Sequence, residues 1–91
     1  MPVIHYHLNV TGIVQGVGFR YSAQAQALKL GLAGTVKNED DGSLAIEVEG
    51  EAEAVNRFVD WCRRGPRGAR VDRLECLEGA IRRFDSFQIT F

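Results

Sequence analysis

The stretch Thr11-Gly12-Ile13-Val14-Gln15-Gly16-Val17-Gly18-Phe19-Arg20 decides how the rest of this chain is read. An apolar strand runs into glycines at 12, 16 and 18, then an arginine, then a run of helix-forming residues. Glycine has no Cβ, so such a loop turns tightly and lets the backbone approach a ligand closely. Successive N–H groups can then converge on an anion. A helix expected to start after Arg20 adds unpaired N–H groups and the positive end of its dipole. The forked guanidinium of Arg20 suits phosphate oxygens. The glycine spacing is not G-x-G-x-x-G, and no Gly-Lys-Ser/Thr follows, so spacing alone leaves a plain tight turn as an equal alternative.

On the N-terminal side, Ile4 to Val10 alternate, with Tyr6, Leu8 and Val10 on one face and His5, His7 and Asn9 on the other. This predicts a strand with one buried face. His5 and His7 share the polar face and could chelate a metal, but with no third ligand evident a face open to water is the expectation.

On the C-terminal side, Tyr21 to Leu30 is rich in strong helix formers, and Phe19, Ala23, Ala27 and Leu30 recur at helical spacing. Gly31 is placed to end that helix. A second strand is expected over Ala33 to Asn38, then a hairpin turn at Glu39-Asp40-Asp41-Gly42-Ser43. Leu44, Ile46 and Val48 alternate with Ala45, Glu47 and Glu49 in a third strand with one wet face, broken by Gly50.

A second helix is marked by Glu51 and Glu53 in its first turn, Arg63 and Arg64 in its last, and Gly65-Pro66 beyond. Its apolar stripe is Val55, Phe58, Val59 and Cys62, with Trp61 at the margin. The four arginines of 63–70 are read as a solvated turn with helix-capping cations. Val71, Leu74 and Cys76 suggest a fourth strand, and Phe87, Ile89 and Phe91 a last one. The order is βαββαβ plus a short C-terminal strand: an α+β, ferredoxin-like split βαβ fold with two helices on one face of a mostly antiparallel sheet.

A chain of 91 residues and 45% hydrophobic content fits one domain, residues 1–91. Net charge is -1, so no overall basic field attracts nucleic acid or anionic membrane. Cys62 and Cys76 are read as reduced and buried, consistent with the cytoplasm. No signal-peptide pattern opens the chain and no apolar run is long enough to cross a bilayer.

Val14-Gln15-Gly16-Val17-Gly18-Phe19-Arg20 resembles the first signature of the acylphosphatase family, V-Q-G-V-x-F-R. Gly34-Thr35-Val36-Lys37-Asn38, followed by the turn glycine Gly42, resembles its second. The resemblance covers essentially the whole chain and implies the same fold. It implies that Arg20 binds the substrate phosphate, that the backbone N–H groups of Gln15, Gly16, Val17, Gly18, Phe19 and Arg20 form its cradle, and that Asn38 orients the attacking water. Lys37 also matches a family position, but alternation puts it on the face opposite Asn38. Two positions depart from the pattern: Thr35 stands where an aromatic is usual, and Ile13 where a basic residue is common. Thr35 leaves local packing and acyl preference open.

The chemistry of these residues agrees with such a substrate. The chain shows no Ser-His-Asp set, no Cys beside a His and no carboxylate cluster suited to a metal. An acyl phosphate leaves as a stable carboxylate, so the remaining work is to position water and offset phosphoryl charge. The expectation is a cytoplasmic monomer hydrolysing a small-molecule acyl phosphate, with no cofactor, no metal, no nucleic acid and no membrane partner. A rival is a non-catalytic module binding phosphate or carbamoyl phosphate, since the N-terminal part of the hydrogenase-maturation carbamoyltransferases is similar at V-Q-G-V-G-F-R; the chain's length argues against it. An RNA-recognition domain shares the element order, but Leu44 to Glu49 holds no aromatic on which bases could stack.

Overall fold

Alternating apolar residues and two glycine-marked turns give five strands and two helices in the expected order. The structure, a computed structural model, describes residues 2–91. Its elements are β1 (Val3–Ile13), α1 (Phe19–Lys29), β2 (Ala33–Asn38), β3 (Leu44–Glu51), α2 (Ala52–Arg64), β4 (Arg70–Gly79) and β5 (Phe87–Thr90). One sheet runs β4-β1-β3-β2-β5. The β1–β3, β1–β4 and β2–β3 pairs are antiparallel, and β2–β5 is parallel.

The side chains of Leu8, Val10, Val36, Ile46, Val48 and Phe87 project to one side of this sheet, where α1 contributes Phe19, Ala23 and Ala27 and α2 contributes Val55, Phe58, Val59 and Cys62. Each large apolar side chain buried here is worth about 1.5–3 kcal/mol relative to exposure. Trp61 sits half-buried at the margin, edge-on to Phe19 with ring centroids 5.4 Å apart.

Several boundaries differ from the sequence expectation. Helix α1 begins at Phe19, because Gly18 at φ +75° serves as its left-handed N-cap, so Arg20 belongs to the first turn rather than preceding the helix. Strand β3 continues through Gly50 to Glu51, with Gly50 packed beside the Leu32 side chain. The expected wet face is also partly covered. His5 and Glu49 are 3% and 5% exposed, beneath the β4–β5 connector. Both ring nitrogens of His5 meet carboxylates, Nδ1 at 2.9 Å from Glu49 Oε2 and Nε2 at 3.2 Å from Glu47 Oε1, which leaves neither nitrogen for a metal shared with His7. Cys76, expected to be buried, is exposed on the edge strand β4.

Candidate active site

Strand β1 ends at Ile13, and the chain then crosses the end of the sheet through Val14, fully buried, to the glycine loop. Gly12 has a role other than the one expected of it. It lies where β1 shifts register against β4, and a Cβ there would stand 2.1 Å from the Arg70 carbonyl oxygen. The loop itself rests on Gly16 and Gly18, both at φ +75° with open space where a Cβ would be. The first α1 backbone bond runs from Ser22 N–H to Gly18 O at 3.0 Å. The N–H groups of Phe19, Arg20 and Tyr21 therefore have no acceptor inside the helix, as at any helix start. Phe19 is buried and anchors the turn, while Gly16 and Gly18 are exposed and Val17 packs partly against the core.

Arg20 is half-buried, and among the described residues it forms no ion pair. Its guanidinium carbon lies 5.4 Å from the ring centroid of Phe91. Lys37 is exposed, on the side of β2 opposite Val36 and Asn38.

Asn38 is the last residue of β2, before a turn in which Glu39 N–H donates to Ser43 O at 2.8 Å. Gly42 adopts φ +94°, as the hairpin requires. Ser43 donates through its hydroxyl at 2.6 Å and its N–H at 2.9 Å to Asp41 Oδ1, and these bonds hold the Asp41 carboxyl below its usual range. Among the described residues, Asn38 Oδ1 is buried with no hydrogen-bond partner. A buried acceptor of this kind ordinarily has a partner in water or a ligand.

The two signature regions are tied by a bond that the sequence reading missed. The side-chain amide of Gln15 donates to the carbonyls of Glu39, at 2.8 Å, and Ser43, at 3.0 Å. Gln15 thus contributes its backbone to the loop while its side chain clamps that loop to the turn following Asn38. An amide has two N–H donors and can bridge two carbonyls, which is the only local hint that its position carries. Thr35 is half-buried opposite Glu47 on β3, on the face away from the helices and near Arg83 and Phe84.

Comparison with known proteins agrees with this architecture. The acylphosphatase family model matches residues 6–89. An acylphosphatase of Yersinia pseudotuberculosis is 48% identical over 92 residues, covering 100% of both chains. One from Nocardioides sp. is 48% identical over 82 residues, covering 90% of this chain and 83% of its own. Among solved structures, the acylphosphatase from Bacillus subtilis superposes with a TM-score of 0.94 at 38% identity, over 97% of this chain and 99% of that one. Full-length HypF in its phosphate- and nucleotide-bound form contains a similar unit, with a TM-score of 0.92 at 32% identity over 99% of this chain but 12% of that protein. With the family model matched across nearly the whole sequence and a relative aligned end to end, the chain belongs to the acylphosphatase family.

Proposed function

We propose that this acylphosphatase hydrolyses small acyl phosphates without a metal, binding the phosphoryl group through Arg20 and the N–H groups of Gln15 to Arg20. Asn38 orients the water. The observation that carries this reading is the buried Asn38 Oδ1, which has no hydrogen-bond partner among the described residues and is an acceptor suited to a water proton, at the edge of a loop whose arginine forms no ion pair among those residues.

The step follows from charge and leaving-group chemistry. Water attacks phosphorus, the bond from phosphorus to the acyl oxygen breaks, and its electron pair leaves on the carboxylate. A proton of the water passes to a phosphate oxygen, so no side-chain base is required. Arg20 and the loop N–H groups offset the charge that would otherwise repel the nucleophile. Unpaired thiols at Cys62 and Cys76 support a reducing, cytoplasmic setting, and the domain is read as a monomer.

Hydrolysis of benzoyl phosphate in ¹⁸O-labelled water with EDTA tests the reading. Label in inorganic phosphate and none in benzoate is expected. Label in benzoate, or loss of activity in EDTA, contradicts it. The likeness to a segment of HypF favours a second reading, a phosphate-binding module of a larger assembly. That reading predicts phosphate binding with no turnover in the same assay.

A further inference from the structure

We propose that Phe91 is a positioning residue for Arg20, its ring holding the guanidinium ready for phosphate without neutralising it. The inference rests on the reading of Arg20 as the phosphate-binding side chain.

Three features converge on this ring. The parallel β2–β5 register ends at the pair Lys37–Thr90, and continuing it by one residue sets Phe91 beside Asn38. Gln24, one turn after Arg20 on α1, donates to the Phe87 carbonyl at 3.0 Å and fastens that side of the helix to β5. Arg20 then lies over the ring at 5.4 Å, within the range of a cation–π contact. Phe91 is 92% exposed, so core packing does not account for its position.

The ring is chemically well suited to the task. A carboxylate would hold Arg20 firmly but would compete with the substrate dianion. An aromatic face attracts the cation through its quadrupole and leaves the in-plane N–H donors free for phosphate oxygens.

The test uses Phe91→Leu and Phe91→Tyr. Inorganic phosphate binding is followed by ³¹P NMR, and kcat/KM is measured on acetyl and benzoyl phosphate. In Phe91→Leu the phosphate Kd is expected to rise, and kcat/KM to fall on both substrates alike, by about two- to fivefold, the size of an exposed cation–π contact. Phe91→Tyr should restore both. An unchanged phosphate Kd in Phe91→Leu overturns the proposal, as does a loss confined to benzoyl phosphate, which would put the ring against the acyl group. A tyrosine variant no better than leucine also overturns it. Wild type that binds phosphate without hydrolysing it would refute the catalytic reading while the Kd comparison still decides the role of Phe91.

Discussion

His5 and Glu49 form a buried pair across β1 and β3, with imidazole Nδ1 at 2.9 Å from carboxylate Oε2. Glu49 also accepts the N–H groups of Arg82, at 2.9 Å, and Phe84, at 2.6 Å. Arg82 in turn reaches both oxygens of Glu47, and its guanidinium lies 5.2 Å from the Phe84 ring centroid. One carboxylate therefore clasps the β4–β5 connector onto the sheet. Removing it in Glu49→Ala leaves three hydrogen-bond partners without their acceptor and should cost about 1–3 kcal/mol for each buried group left unpaired. Urea unfolding measures the loss, and the KM of the still-folded variant should stay near that of wild type.

The same clasp sets an acid limit. Burial pushes the Glu49 carboxyl up, but the Arg82 N–H, the His5 ring and the Phe84 N–H together outweigh it and hold the group below its ordinary value of 4.5. A carboxylate depressed in the fold contributes stability that is full above its unfolded pKa and disappears as pH falls through the folded one. The urea midpoint of wild type should accordingly drop as pH falls below about 4.5. Glu49→Gln should be less stable at neutral pH and show a shallower acid decline. An equally steep decline in the variant would assign the acid sensitivity to other carboxylates.

Much of the fold was legible because its signals are local. Alternation located β1 and the apolar face of β3, and Gly31, Gly42 and Gly65 marked real ends and turns. What failed was mostly non-local. Parity put His5 and Glu49 on a polar face, correctly, but no sequence period shows that residues 80–86 fold back to cover it. The start of α1 was misplaced because a left-handed glycine cap leaves no side-chain signature. At the site, Arg20 stood out from its place after the glycine loop, where a plain turn was an equal alternative until the family resemblance favoured a phosphate site, whereas Asn38 came from the resemblance alone, since a turn asparagine is unremarkable. Phe91 was read only as part of the last strand, because its neighbours depend on a parallel pairing between segments about fifty residues apart.

Two glycines separate conformational strain from steric exclusion. At Gly18, φ is +75° with free space around a Cβ, so Gly18→Ala should cost about 1–2 kcal/mol of left-handed strain and leave a folded, weaker enzyme. At Gly34 a Cβ would stand 1.8 Å from the Glu47 carbonyl oxygen, so Gly34→Ala should force β2 off β3. Circular dichroism and thermal unfolding distinguish the two outcomes.

Gln15 should act through position rather than charge. Gln15→Ala leaves the Glu39 and Ser43 carbonyls without their side-chain donor and is expected to cost about 1–3 kcal/mol. Activity should fall less than in Arg20→Ala, because the backbone N–H groups of the loop remain. Stability and kcat/KM measured on the same preparation check both statements.

The cysteines should differ sharply. Cys62 is buried, and burial pushes its thiol far up; Cys76 is exposed, raised more modestly by partial desolvation against the opposing charge of Arg63. Iodoacetamide on native protein should label Cys76 alone, with Cys62 reacting only after unfolding, as peptide mass spectrometry would show.

The most direct measurement is steady-state hydrolysis of benzoyl phosphate in EDTA by wild type, Arg20→Ala and Asn38→Ala. Each variant, confirmed as folded, should lose about a hundredfold or more in kcat/KM, the size expected when a charge-stabilising donor is removed. Arg20→Ala should also weaken inhibition by inorganic phosphate, while Asn38→Ala should leave it nearly unchanged. Folded variants that retain near-wild-type turnover would contradict the assignment of phosphate binding to Arg20 and water to Asn38.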